Sequence, residues 1–278
     1  MNNSLIKAVS MLRHGPLRHL RGIWRPLGRI YRSAQRLTGW PRHVSKQIGP
    51  YGPFKLNGRF AFSNYESWGD GHNSGFRTCV EACRPGDTMI DIGAHIGLVT
   101  LCAGAQVGPQ GRIVAFEPAS GNLRYLRDHV AANGFPHVEI ADSLVGADER
   151  DAVEFLESTG DSGLNTRAPR ALRADFVATK RPQVSLDRFC AGRQLSPNVI
   201  KIDVEGAETD VLRGAVATIA RSKPLIVLSV HPRQIVMLGS SLGELTALVK
   251  SLNYQVATPG GTPVVEFVAG GEYLLSHK

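Results

Sequence analysis

From residue 86 onward, short runs of aliphatic and β-branched residues alternate with longer stretches whose apolar positions recur every three or four. That alternation predicts strands at 89–92, 112–116, 138–141, 199–202, 225–230, 254–257 and 273–275. Between them it predicts helices at 96–107, 122–133, 208–220 and 242–252, with Gly134 closing the second. An earlier helix at 74–83 stops at Pro85-Gly86. Upstream, apolar runs at 54–56 and 59–62 flank Asn57-Gly58, the dipeptide of a tight type I′ hairpin. Strand–helix alternation requires right-handed crossovers, hence an α/β fold with a mostly parallel sheet and helices on both faces. The stretch 143–190 breaks this rhythm. It offers strands at 152–156 and 175–184 around a Gly/Ser/Arg-rich loop at 158–173, an insertion beside the site where loops carry specificity.

Charge divides the chain. Of 32 Lys/Arg, ten fall in residues 1–46, which contain no acid at all; the first acid is Glu66. The net charge is +8, so the remainder is slightly acidic and the basic character belongs to an arm. This sets residues 1–46 apart from a domain at 47–278. Arg18, Arg21, Arg25, Arg29, Arg32 and Arg36 recur at helical spacing beside Leu20, Trp24, Leu27, Tyr31 and Ala34. Pro16 and Pro26 count against one unbroken helix. The arm suits peripheral contact with an anionic membrane surface, competing with a targeting peptide, a nucleic-acid arm or a solvated extension. No nucleic-acid partner is expected, and the oligomeric state stays open. There is no apolar run of about 18 residues to span a bilayer. The four cysteines form no C-x-x-C pair, as in a reduced, cytoplasmic protein.

The chemistry concentrates at Asp91-Ile92-Gly93-Ala94-His95-Ile96-Gly97, a strand entering a glycine turn and a helix. Gly93 lets the backbone bend and a ligand approach, while Ala94, His95 and Gly97 lead into a helix whose first N–H groups are unpaired. A dinucleotide site would have glycine where His95 stands, and no Gly-Lys-Ser/Thr follows for a P-loop. What remains, D-x-G-x-x-x-G, suits a ligand with a free ammonium drawn to Asp91 and no phosphate: S-adenosylmethionine. Glu117 ends the next strand, where a carboxylate can accept from both ribose hydroxyls. Asp142, after the third strand, is a candidate acceptor for the adenine amino group, or an exposed loop acid.

These residues, with Lys201-Ile202-Asp203-Val204-Glu205-Gly206-Ala207-Glu208 and Leu212-Arg213-Gly214, resemble the FkbM-type S-adenosylmethionine-dependent methyltransferases over about residues 50–278. Ser185-Leu186-Asp187 also matches that family. The resemblance implies the class I methyltransferase fold, a Rossmann-like seven-stranded sheet with its last strand antiparallel. It further implies a donor site lined by Asp91, Gly93, Gly97 and Glu117, and O-methylation of a sugar, polyketide or similar metabolite. Two positions depart from the family: His95 stands where Asn is general, and Ser229 where Glu is frequent.

Lys201, Asp203 and Glu205 share strand parity, and ligands of open α/β sheets bind beyond the strands' carboxyl ends. Asp203 or His231 is therefore the candidate base for a small-molecule or glycan hydroxyl, with Lys201 pairing a carboxylate. Against these roles stand a helix cap for Asp203 and a satisfied loop histidine for His231. Glu205 and Glu208 read as helix N-terminal charges. Only two oxygen ligands for Mg²⁺ are convincing, so no metal ligands are assigned. Two alternatives remain: an NAD-dependent oxidoreductase, which the missing second glycine opposes, and a non-catalytic membrane or nucleic-acid adaptor, which would not need Asp91, Gly93 and Glu117 together.

Overall fold

The computed structural model describes residues 9, 12–13, 15–16, 19–158, 165–168 and 176–278; Arg18, Arg170 and Arg173 lie outside them. Helix α1 (Arg21–Thr38) carries Pro26 in its interior and closes at Gly39, left-handed at φ +65°, whose N–H donates to the Gln35 carbonyl at 2.8 Å. It runs unbroken through Pro26, where a break was expected, and begins only after Pro16; Pro26 gives up only its own N–H. A hairpin of β1 (His43–Ile48) and β2 (Tyr51–Asn57) follows. β1 thus begins inside the segment that charge sets apart as an arm.

That hairpin lies one element earlier than expected, turning at Gly49-Pro50 and not at Asn57-Gly58. Gly58 lacks the positive φ that a type I′ turn needs. A Cβ there would sit 1.8 Å from the Pro41 carbonyl oxygen, so this glycine serves close backbone approach. Asn57 instead accepts from the Arg59 N–H at 3.0 Å and starts a short 3₁₀ turn.

Beyond α2 (Ser74–Ala82) the predicted alternation holds: β3 (Thr88–Ile92), α3 (Leu98–Val107), β4 (Arg112–Phe116), α4 (Ser120–Asn133) and β5 (Val138–Ala141). The insertion folds as a separate three-stranded sheet of β6 (Leu144–Val145), β7 (Arg150–Ser158) and β8 (Phe176–Val184). The core then resumes with α5 (Leu186–Arg193), β9 (Val199–Ile202), α6 (Glu208–Arg213), α7 (Val216–Ser222), β10 (Leu225–Val230), α8 (Pro232–Met237), α9 (Leu242–Ser251), β11 (Tyr254–Ala257), β12 (Pro263–Val264) and β13 (Gly271–His277). The single helix expected at 208–220 is two. Gly214 separates them, because a Cβ there would fall 2.0 Å from the Gly146 carbonyl oxygen.

The main sheet runs β12-β11-β13-β10-β9-β3-β4-β5. β10, β9, β3, β4 and β5 are parallel, and β13 is antiparallel to both its neighbours. This is the expected seven-stranded sheet with a two-residue eighth strand at its edge. Strand alternation splits the core. Ile90, Ile92, Ile200 and Ile202 pack with Phe189, Val211, Ile219 and Leu245 on one face. Met89 and Val199 pack with Cys79, Leu101 and Leu126 on the other. The chain leaves β3 toward β4 on one side and β9 toward β10 on the other. A crevice therefore opens beyond β3 and β9, at the switch point of the strand order.

Candidate active site

At that switch point Gly93 has φ +80°, and a Cβ on it would lie 1.9 Å from the Asp203 carbonyl oxygen. No other residue fits, so the tips of β3 and β9 touch. The Gly93 and Ala94 N–H groups donate to the Phe116 carbonyl at 3.0 and 2.9 Å, tying the turn to β4. His95 is left-handed at φ +54°, a conformation that a histidine holds only where neighbours enforce it. Here its N–H donates to Glu117 Oε2 at 2.8 Å.

Asp91 lies deeper than expected. Its carboxylate is fully buried; it accepts from the Thr100 hydroxyl at 2.7 Å and lies 3.2 Å from Lys201 Nζ. Asp91 and Lys201 are direct partners across adjacent parallel strands. Lys201 also donates to the Gly93 carbonyl at 2.6 Å and lies 3.8 Å from Asp203. Burial alone would lower its pKa, but the charges of Asp91 and Asp203 outweigh that and raise it. Asp91 thus forms an internal pair with Lys201, which ties it to the glycine turn. Lys201→Met should cost about 3 kcal/mol in urea denaturation, because it strands the Asp91 charge in the core. A loss below about 1 kcal/mol would mean the pair is not under that constraint.

Glu117 is buried at the tip of β4 and accepts from the Ala119 N–H at 2.9 Å and Asn122 Nδ2 at 3.3 Å, besides His95. Burial pushes its pKa up to about 7 against those hydrogen bonds. Asp142 goes elsewhere: it is exposed and pairs with Arg127 at 3.2 Å. Its neighbours Ser143 and Leu144 take the place beside Glu117. Sequence spacing located the loop but not which of its side chains turns inward.

Asp203 ends β9 with a partly exposed carboxylate, 3.7 Å from His231 Nε2. His231 Nε2 is 3.6 Å from Glu205, and its Nδ1 is 2.6 Å from the buried Glu208. Burial would lower the His231 pKa. The hydrogen bond and charge of Glu208, with Asp203 and Glu205 behind it, push it up to about 9 instead. That raised pKa favours the imidazolium form of His231. Glu208, expected to serve the helix dipole, is the buried counter-charge. Its Oε1 also accepts from the Gly206 N–H at 3.0 Å. One group had no signal in the sequence. Glu272 on β13 is the cross-strand partner of Ser229, the position at which a carboxylate is missing. It accepts from the Gly75 N–H at 2.6 Å, and burial raises its pKa to about 7.

Two cavities meet at these residues. The inner one is lined by Glu117, Asn122, Leu144, Phe155 and Arg167. The outer one, of about 610 Å³, is walled by Asn64, Tyr65, Trp68, Asp70 and Phe76. Gly93, His95 and Asp203 line both, so Asp203 stands at their junction. The insertion closes the inner cavity: the Thr166 hydroxyl donates to the Glu205 carbonyl at 2.6 Å, and Arg167 pairs with Asp210 at 3.0 Å.

The FkbM methyltransferase domain profile matches residues 91–256, more than half of the chain. This protein belongs to the FkbM methyltransferase family. No curated protein matches the sequence significantly. Among solved structures, the FkbM methyltransferase of Methylobacillus flagellatus is 18% identical with a TM-score of 0.44, covering 74% of this chain and 51% of its own. The chain thus spans about half the length of that relative. An S-adenosylmethionine-dependent methyltransferase from Aquifex aeolicus is 13% identical, with a TM-score of 0.39 over 73% of this chain and 88% of its own. The precorrin-6y C5,15-methyltransferase of Geobacter metallireducens, also 13% identical, gives 0.41 over 73% and 86%.

The family's methyl donor is S-adenosylmethionine, and the FkbM site has the features to take it. A buried carboxylate, Glu117, opens into a cavity beside a glycine turn in which a Cβ has no room. Family membership sets the oxidoreductase alternative aside. Among the described residues, no group of three or more His, Cys, Asp or Glu is disposed to hold a metal ion, and no helix is long and apolar enough to cross a membrane.

Proposed function

We propose that this FkbM methyltransferase methylates a hydroxyl of a sugar, glycolipid or secondary metabolite. One observation carries the reading: a carboxylate, Asp203, stands where the two cavities meet, 3.7 Å from His231 Nε2. Glu117 and Asn122 would hold the nucleoside of the donor in the inner cavity, with Gly93 and Ala94 beside its amino-acid end. Bound there, S-adenosylmethionine supplies an electrophilic methyl carbon. The chain's own residues must align an acceptor oxygen with that carbon and take its proton. Asp203 takes the hydroxyl proton, with His231 Nε2 3.7 Å from its carboxylate. Calorimetry with S-adenosylhomocysteine tests the donor site; methyl-labelled donor, offered with a panel of glycans, glycolipids and small alcohols, tests the acceptor. No heat with S-adenosylhomocysteine would end the proposal. Label appearing only on amines or carbons would keep the methyltransferase and discard the hydroxyl.

We further propose that α1 rests on an anionic membrane surface. Ile23, Leu27, Ile30 and Leu37 recur at helical spacing along one face, and each is 49–87% exposed. Arg29 and Arg36, exposed on the same helix, give it the charge that anionic lipid attracts. Tyr31, beside that stripe, donates to the Gly58 carbonyl at 2.7 Å and holds α1 on the body. The full chain should sediment with phosphatidylglycerol-containing vesicles and not with pure phosphatidylcholine. Ile30→Glu with Leu37→Glu should abolish that. If the same variant instead splits a dimer and leaves lipid binding unchanged, the stripe is a self-association seam.

A further inference from the structure

A third cavity, of about 360 Å³, lies beside the outer cleft and is lined by Arg32, Arg59, Phe60, Ser63, Tyr65, His95 and Ile96. Tyr65 and His95 line the outer cleft as well, so the two spaces adjoin. Among the described residues, the lining offers two guanidinium groups, two hydroxyls and an imidazole, and no carboxylate. Arg32 is half-buried and makes no ion pair among the described residues. A guanidinium drawn toward a cavity without a counter-ion there is an anion-binding arrangement, and paired arginines with hydroxyls suit the oxygens of a phosphoryl group.

Resting on the methyl-transfer reading above, we infer that this cavity holds a phosphate or diphosphate group of the acceptor, so that the substrate is a phosphorylated hydroxyl compound. An anionic group here and a hydroxyl at Asp203 would lie at opposite ends of one substrate crossing the outer cleft. The donor's own carboxylate is the competing anion. The division of the chain speaks against it. Gly93, Glu117 and Asp203 all fall within residues 91–256, which match the family, whereas Arg32, Arg59, Ser63 and Tyr65 all precede them. A donor common to the family is served by the common region, and side chains outside it are free to select the acceptor. Arg32 belongs to α1, so the basic arm forms part of the substrate site in addition to any contact with lipid.

The test uses the full chain, with inorganic pyrophosphate, phosphate, sulfate and acetate as probes and S-adenosylhomocysteine as the reference ligand. Calorimetry should show saturable binding of pyrophosphate, weaker binding of phosphate and sulfate, and none of acetate. Arg32→Gln and Arg59→Gln should each weaken pyrophosphate about tenfold and leave S-adenosylhomocysteine within twofold, which also certifies that the variants are folded. Equal loss of both ligands would reassign the arginines to the donor's carboxylate and overturn the inference. So would the absence of saturable binding by any phosphate or sulfate probe. Failure of the methyl-transfer reading itself has a different signature: S-adenosylhomocysteine would not bind the unaltered protein, whatever pyrophosphate does.

Discussion

Asp203→Asn should lower the methyl-transfer rate by about 10³-fold while S-adenosylhomocysteine affinity stays within a few-fold, because general-base removal costs about 10²–10⁴. The replacement is isosteric and keeps the close approach of the Asp203 backbone to Gly93. It removes the carboxylate that lies 3.7 Å from His231 and 3.8 Å from Lys201. His231 cannot substitute, since its pKa near 9 leaves it protonated, and Glu208 at 2.6 Å keeps it so. A labelled-methyl assay on the accepting hydroxyl, run beside calorimetry, separates rate from binding. Unchanged turnover would show that the hydroxyl proton leaves directly to water. Loss of both turnover and donor affinity would make Asp203 part of the donor cradle.

Glu117→Gln should weaken S-adenosylhomocysteine about 100-fold, since two hydrogen bonds from ribose hydroxyls lose a charged acceptor. The same residue makes binding depend on pH. With a pKa raised to about 7 in the free protein, Glu117 is increasingly protonated as pH falls below that value. The form that accepts both hydroxyls is the ionised one, so affinity should fall by up to tenfold per pH unit below about 7, with a proton released on binding. Above pH 8 affinity should be flat. In the Gln variant the dependence should vanish along with the affinity. Calorimetry at several pH values, in buffers of different ionisation enthalpy, reads both the affinity and the proton. A wild-type affinity that is level from pH 5 to 8 would place the ribose elsewhere.

Much of this site is legible one residue at a time. The run 89–97 announces a strand, a turn without room for side chains and a helix, because a short apolar run and glycine leave local marks. Glu117 and Asp203 are legible for a related reason: each sits one residue past a recognisable parallel strand, and strand ends of such a sheet converge on its crevice. The Asn57-Gly58 hairpin shows the limit of local signals. The dipeptide has two uses, and contact of Gly58 with Pro41, seventeen residues earlier in the chain, selected the second. Asp142 shows another limit, since its exposed pairing with Arg127, fifteen residues away, leaves no local mark.

The order of residues alone specified a mostly parallel α/β sheet, the glycine turn and the carboxylates at the strand tips, which follow from short-range periodicity, while the antiparallel last strand was implied only by the family resemblance and the strand order came from the folded chain. Only the folded chain decided which charges neutralise one another: Asp91 with Lys201, His231 with Glu208, and Glu272 facing Ser229 from the far end of the sequence. Ionisation depends on burial and on neighbours within a few ångströms, and those neighbours are brought together from distant parts of the chain. The arginine-lined cavity has the same origin, because its two guanidinium groups and His95 share no sequence pattern and meet only where α1 packs on the turn at Gly58–Phe60.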